Sequence, residues 1–248
     1  MFAVFLAGIA AGTVNTVVGS GTLITFPTLL AFGVPPVTAN VSNTIGLVPG
    51  SVSGAIGYRR ELSGQRGRLV RLASASLLGG ALGAVLLLAL PDDAFNAIVP
   101  ALIGLGCVLV IFQPAIGRRV AARADSRTES PEHGAGWVWF LVFLAGVYGG
   151  YFGAAQGVLL MAIMGIGIKE SLQRLNGTKN VLAGLVNGVA ALIFIVVADV
   201  DWTVVALIAA GSVIGGQVGA SVGRRLPALA LRIFIVVVGV VAVISLLA

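Results

Sequence analysis

Residues 5–27, FLAGIAAGTVNTVVGSGTLITFP, are apolar enough to lie in a lipid bilayer, but the run is broken by Gly19-Ser20-Gly21. It also carries polar side chains at Thr13, Asn15, Thr16, Thr22 and Thr25. In hydrocarbon, a backbone group without a hydrogen-bond partner costs several kcal/mol, so a broken segment has to be packed in protein or line a cavity. The stretch therefore predicts a buried path or binding site rather than a helix that faces lipid.

A second stretch of the same kind follows at residues 143–165, FLAGVYGGYFGAAQGVLLMAIMG. The shared FLAG tetrapeptide aligns the two copies and places glycine on glycine, so that Gly8, Gly12 and Gly19 fall on Gly146, Gly150 and Gly157. The chain is therefore predicted to contain two copies of one structural unit.

The composition indicates a membrane protein, because 58% of the 248 residues are hydrophobic, only 10% are charged and the mean hydropathy is +1.07. A soluble domain of this size has about 25% charged residues. Several runs approach or exceed the ~18–20 apolar residues that cross a bilayer as a helix. The net charge of +6 lies in short loops, so it indicates orientation in the membrane rather than nucleic-acid binding.

The sequence predicts no metal, no cofactor and no disulfide. His133, the only histidine, lies in a polar stretch, and Cys107, the only cysteine, lies in an apolar run. Neither has a neighbouring histidine or cysteine with which to form a metal site.

Residues 2–32 and 137–168 are each too long for one span, because about 31 residues make a helix of ~46 Å. We predict an all-α polytopic membrane protein in which each of these segments is a re-entrant or broken helix hairpin. Three transmembrane helices follow each hairpin, near residues 37–58, 72–90 and 94–112 and near residues 171–198, 203–222 and 233–248, which gives about eight membrane segments. The predicted organisation is a first repeat at residues 1–113, a cytoplasmic linker at residues 114–136 and a second repeat at residues 137–248.

Loops at matching positions carry opposite charge, which predicts that the two repeats are inverted. The loop after residues 37–58 holds five arginines, whereas its counterpart is the acidic pair Asp199 and Asp201. The next loop holds Asp92 and Asp93, whereas its counterpart holds Arg224 and Arg225. Since basic loops lie on the cytoplasmic side, matching loops are expected on opposite faces. Inverted repeats with broken helices are a recurring transporter architecture.

The second helix of each half carries a polar stripe. In the alignment of the two halves Asn40 matches Asn176, Asn43 matches Lys179, Thr44 matches Asn180, and Ser51 matches Asn187. Positions at these spacings lie on one helix face. Together with the hairpin residues Asn15, Ser20, Thr22 and Gln156 they predict a polar site at the interface between the repeats, near mid-membrane, of a kind that suits an anion. The same residues could instead serve helix packing, and Lys179 could extend to the membrane surface.

No carboxylate is expected inside the membrane, because Glu61, Glu170 and every aspartate lie in loops or turns. Intramembrane proton relays use Asp, Glu or His, so the sequence argues against a carboxylate-coupled symporter. Export of an anion needs no such group, because an inside-negative potential favours it by ~2.3 kcal/mol per charge per 100 mV.

With these features the chain resembles the TauE/SafE family of sulfite and organosulfonate exporters. The resemblance rests on the duplicated FLAG element with its glycines, the Gly-rich breaks, the Thr-Ala-Asn start of the second helix and the Leu-Asn-Gly-Thr-Lys-Asn start of its counterpart at residues 175–180. It implies transport of a small sulfur-containing anion such as sulfite, sulfoacetate or another organosulfonate. It also implies a multi-pass protein in the cytoplasmic membrane of a prokaryote.

Three other functions stay open at this point. The first is an uptake permease for another small oxyanion or carboxylate. The second is an intramembrane enzyme, for which the sequence offers no set of His, Asp and Glu residues at membrane depth. The third is a membrane scaffold without transport, which would leave the duplicated polar hairpins unexplained. In addition, the glycine-rich faces of residues 72–90 and 203–222 could support a homodimer or be used for packing within the chain.

Overall fold

The computed structural model describes residues 1–126, 135–222 and 228–247, and these residues form helices and connections with no strand. His133 and the pair Arg224 and Arg225 lie outside the described residues. The helices are α1 (Phe2–Val17), α2 (Thr22–Ala31), α3 (Pro36–Gly57), α4 (Arg66–Ala89), α5 (Asp92–Ser126), α6 (Gly136–Tyr151), α7 (Gln156–Gly167), α8 (Leu172–Val197), α9 (Trp202–Val222) and α10 (Ala228–Leu247).

Both long segments are broken where the sequence predicts. The first is divided into helices of 16 and 10 residues and the second into helices of 16 and 12 residues. Such helices are about 15–24 Å long, and none of them alone spans a hydrocarbon core of about 30 Å. Within each segment the two arms pack against each other.

Among the described residues, four helices are long and apolar enough to cross a membrane: α4, the Asp92–Arg119 part of α5, α8 and the Trp202–Ser221 part of α9. These helices expose large apolar side chains such as Val85, Ile111 and Val196 on the outside of the bundle. Together with the shorter apolar helices they establish an all-helical, multi-pass membrane protein. α3 also has 22 residues, but it is rich in polar side chains, and many of these are buried in the protein.

α5 is longer than the sequence predicts, because it continues past residue 112 and ends at Ser126. The predicted linker at residues 114–136 is therefore helical in its first half. Alanine and arginine, both strong helix formers, dominate residues 118–124 and explain the extension.

Close contacts between glycines and backbone join the two halves. α1 packs along α9, where a methyl group at Gly12 would collide with the backbone of Ser212. α6 packs along α4, where a methyl group at Gly83 would collide with the backbone of Val147. The glycines of α4 and α9 are thus used for packing within the chain. A homodimer, which stays a prediction, would need another surface.

The connections between helices collect at two ends of the bundle. At one end, residues 35–38, Asp92, Asn96 and Asp199 surround a cavity of about 330 Å³. At the other end, the connection between α3 and α4 meets the start of α8, where the Gln65 amide donates to the carbonyl of Arg174 at 3.4 Å. Buried aromatic rings pack between the two hairpins, with the rings of Phe26 and Phe152 edge to face and their centroids 5.1 Å apart.

Candidate functional site

The two breaks touch each other backbone to backbone. The N–H of Gly157, in the first turn of α7, donates to the carbonyl of Gly19, between α1 and α2, at 3.0 Å. A methyl group at either glycine would collide with the backbone of the other. Gly19 also has a φ of +89°, which a residue with a side chain rarely adopts. This contact places the polar tips of the two hairpins side by side.

The C-terminal end of α1 is held by side chains of α8. The Lys179 Nζ donates to the carbonyls of Asn15 and Thr16, both at 3.0 Å. The side-chain amides of Asn176 and Asn180 donate to the same Thr16 carbonyl at 3.3 Å each. The last carbonyls of a helix lack partners within the helix and carry a partial negative charge, so an ammonium and two amides suit them well. Lys179 itself is fully buried, so it does not extend to the membrane surface.

A second cluster surrounds the start of α3. The Asn40 side-chain amide donates to the carbonyl of Tyr151, the last residue of α6, at 2.9 Å. The Asn43 side chain accepts a hydrogen bond from the Thr25 hydroxyl, and its amide donates to the Thr22 hydroxyl at 3.4 Å. Asn40 and Asn176 therefore make equivalent contacts. Asn40 on α3 binds the last turn of α6, and Asn176 on α8 binds the last turn of α1.

The structure divides the predicted polar residues between these two clusters. α3 and α8 run antiparallel, since Ser51 lies beside Gly184 and Tyr58 beside Gly177. With a rise of 1.5 Å per residue, Asn43 and Lys179 are separated by roughly 20 Å along the helix pair. A small anion cannot contact both. The hairpin tips lie between them, because the Lys179 side chain passes Gly157 and Asn43 binds Thr22 in the first turn of α2.

Several buried polar atoms at the tips have no hydrogen-bond partner among the described residues. They are the Ser20 hydroxyl, the Gln156 Nε2, and the Oδ1 atoms of Asn40 and Asn176. Ser20 is completely buried in the first break, and Gln156, 3% exposed, begins α7. Buried polar groups are nearly always satisfied in native proteins, so such a group marks a place that water or a ligand completes. Ser20 and Gln156 supply free donors, and the two asparagines supply free acceptors.

The remaining predicted residues are less central. The Thr44 hydroxyl donates to the carbonyl of Asn40 within α3 at 2.9 Å. Asn15 is half-buried and contributes its backbone carbonyl. Asn187 is half-buried on α8, two turns beyond Asn180. Asn180 also borders a cavity of about 390 Å³ lined by Ser51 and Arg59.

One network next to the site was not predicted as part of it. Arg68 and Arg174 both contact the Glu170 carboxylate, at 3.1 and 3.0 Å. The Gln65 side-chain oxygen accepts from Arg68 at 2.6 Å and from the Thr178 hydroxyl at 3.2 Å, and Thr178 precedes Lys179. Burial raises the pKa of Glu170, but hydrogen bonds from the Ser171 N–H, Arg68 and Arg174 outweigh it and hold the pKa below its usual value. The sequence signal was the basic run at residues 59–71 and a Glu-x3-Arg pair at residues 170–174, and only the fold brings the two together.

Comparisons with known proteins give one family match and several bacterial relatives. Residues 4–246 match the family model described as "Sulfite exporter TauE/SafE". The chain is 28% identical to "Probable membrane transporter protein ORF9" of a Sinorhizobium species, over 98% of this chain and 91% of that protein. It is 25% identical to "Probable membrane transporter protein YfcA" of Escherichia coli K12, over 96% and 86%. A "Probable membrane transporter protein" of Haemophilus influenzae is also 25% identical, over 87% and 82%. No solved structure matches the chain.

Proposed function

The chain belongs to the TauE/SafE family of membrane transporters, and from this premise we propose that it exports a small sulfur-containing anion such as sulfite, sulfoacetate or another organosulfonate. The substrate passes the polar site where the two hairpin tips meet. The cytoplasmic membrane of a prokaryote is the proposed location, in keeping with the bacterial relatives.

The observation that carries this proposal is the pair of free donors at the meeting point of the hairpins. The Ser20 hydroxyl and the Gln156 amide are buried, have no partner among the described residues and lie in or directly after the two breaks. Neutral donors that are already placed in a region of low dielectric bind an oxyanion strongly. A sulfonate or sulfite offers three oxygen acceptors to such donors.

The charges favour export. In the described residues, the glutamates and aspartates with described side chains lie in connections or, for Asp92 and Asp93, in the first turn of α5. Lys179 donates to backbone carbonyls rather than to a carboxylate. Without an intramembrane carboxylate to carry protons, the membrane potential is the available driving force, and it moves an anion outward.

Inverted repeats, residues 1–113 and 137–248, form part of the proposal. The packing of α1 on α9 is matched by that of α6 on α4, and Asn40 and Asn176 bind equivalent ends of the two hairpins. The end with Arg59, Arg68 and Arg174 is taken as cytoplasmic, and the end with Asp92 and Asp199 as external. Regions that are expected on the same side of the membrane also lie close together, since Arg68 forms an ion pair with Glu170.

The test is flux of sulfite, sulfoacetate and acetate into proteoliposomes under a potassium diffusion potential set with valinomycin. We expect voltage-driven movement of the sulfur-containing anions and little movement of acetate. Equal transport of acetate would favour a permease for oxyanions or carboxylates in general. A flux that does not change with the membrane potential would contradict uncoupled export. The absence of flux of all three anions would contradict the proposed substrate class.

A further inference from the structure

We propose that the ammonium of Lys179 occupies a monovalent-cation site at the broken end of α1, so that the protein carries its own tethered cation and needs no sodium ion. The inference concerns the coupling of the proposed transport, and its flux readout rests on that function. The measurement of cation binding does not rest on that function, because it needs no transported anion.

The surroundings of the Lys179 Nζ are those of a cation site. Its hydrogen-bond partners are the carbonyls of Asn15 and Thr16, each at 3.0 Å. These carbonyls end a half-helix, where the helix dipole adds a partial negative charge. Backbone carbonyls at such ends are the groups with which transporters of broken-helix architecture coordinate sodium ions. The side chain is fully buried, so its charge depends on these oxygens for stabilisation.

A third oxygen lies within the same group of residues. The Asn176 amide donates its Nδ2 to the Thr16 carbonyl, whereas its Oδ1 is buried and has no partner among the described residues. Asn176 is 8% exposed, so bulk water does not satisfy this oxygen freely. Asn176 therefore carries, in the same amide that binds the Thr16 carbonyl, an oxygen that the ammonium does not bind and that is available to a small ion once the ammonium is removed.

The location gives the cation a mechanical role. Lys179 ties α8 to the end of α1, and its side chain lies against Gly157, whose backbone contacts Gly19. A positive charge at this point fixes the first hairpin against the second. In a sodium-coupled carrier, the positive charge at such a site binds and dissociates as a sodium ion. In this protein, the positive charge belongs to the Lys179 side chain and cannot dissociate. Transport by the unmodified protein should therefore not depend on sodium.

The test uses Lys179→Ala, with Lys169→Ala as the matched control, because residue 169 is the only other lysine and is exposed between α7 and α8. Thermal unfolding of the detergent-purified proteins is measured in choline chloride, sodium chloride and propylammonium chloride at equal ionic strength. Propylammonium replaces the three carbons and the nitrogen that the substitution removes. We expect sodium or propylammonium to raise the unfolding temperature of Lys179→Ala by about 2–4 °C over choline. The unmodified protein and Lys169→Ala should not respond.

The result that overturns the inference is an unfolding temperature of Lys179→Ala that is the same in all three salts, or an equal response in the control. If Lys179→Ala does not fold, Lys179→Met, whose uncharged side chain is one heavy atom shorter than that of lysine, is tested with sodium in the same way. In proteoliposomes, flux through the unmodified protein should be the same in sodium and choline, and a requirement for sodium would also overturn the inference. If no anion is transported, the unfolding experiment still decides the cation site, so this outcome counts against the proposed function alone.

Discussion

Gly19 and Gly157 form a direct backbone hydrogen bond of 3.0 Å between two hairpins that are far apart in sequence, and neither residue leaves room for a methyl group. Each hairpin tip has buried polar groups without a partner among the described residues, and such groups exposed to lipid would be costly. The contact between the two glycines packs the tip of each hairpin against the tip of the other. Ser20 and Gln156, which carry the free donors, are the chain neighbours of these two glycines.

We predict that Gly157→Ala disrupts the structure at this contact. Gly157 has an ordinary helical backbone, so the substitution tests the steric contact with Gly19 rather than backbone strain. Overpacking of a close backbone contact typically costs about 1–3 kcal/mol, and we expect a lower unfolding temperature and loss of flux. Gly104→Ala in α5 is the control, because nothing lies near its added methyl group. It should be neutral or slightly stabilising, and equal behaviour of the two variants would contradict the contact.

Asn40→Ala should destabilise the protein by about 1–2 kcal/mol, because it leaves the carbonyl of Tyr151 without its side-chain donor. Asn176→Ala should destabilise it less, because the Thr16 carbonyl keeps Lys179 and Asn180 as donors. The two residues belong to clusters roughly 20 Å apart, and effects at such distances normally add within ~0.5 kcal/mol. The double variant should therefore lose the sum of the two. Unfolding midpoints of the four proteins in one denaturant series measure this, and strong non-additivity would mean that the clusters act as one site.

The sequence predicts the breaks well but not the division of the site. Gly19 and Gly153 have positive φ values, which makes the glycine pattern a reliable sign of where the helices end. The alignment of Asn43 with Lys179 as matching positions of two repeats stays a prediction. Such a match says nothing of the distance between the two residues, because inverted repeats would place matching residues at opposite ends of the bundle. The partners of Lys179 are backbone carbonyls, which no side-chain pattern in the sequence reveals.

Ser20→Ala should separate transport from stability. The hydroxyl is buried and has no partner in the part of the chain that the structure describes, so its removal leaves no described group unsatisfied and should keep or raise the unfolding temperature. If the hydroxyl binds the anion, the KM for the transported anion should rise about tenfold, the value of one hydrogen bond to a charged group. Ser51→Ala is the control, because the Ser51 hydroxyl donates to the carbonyl of Leu47 within α3 at 3.0 Å. An unchanged KM in Ser20→Ala would exclude this serine from the substrate path.

The Glu170 ion pairs should make stability depend on pH in the acidic range. The pKa of Glu170 is lower in the folded protein than in the unfolded chain, where it has the usual value of about 4.3. The carboxylate therefore stabilises the fold above that value, and the contribution disappears as the pH falls through the folded pKa. Unfolding temperatures of the unmodified protein and Glu170→Gln, measured from pH 7 down to pH 3, should converge at the acidic end. A constant difference across this range would contradict the assignment.

The orientation of the bundle can be tested with single cysteines in a Cys107→Ser background. Ser63 lies in the connection between α3 and α4, which carries Arg59, Arg60 and Glu61, whereas Asp199 precedes α9 at the opposite end beside Asp92. If basic connections face the cytoplasm, a membrane-impermeant maleimide should label Asp199→Cys in intact cells and Ser63→Cys only after the cells are opened. The reverse pattern would invert the proposed topology, and with it the direction in which the membrane potential drives the anion. Labelling of both variants in intact cells would contradict the separation of these two connections by the membrane.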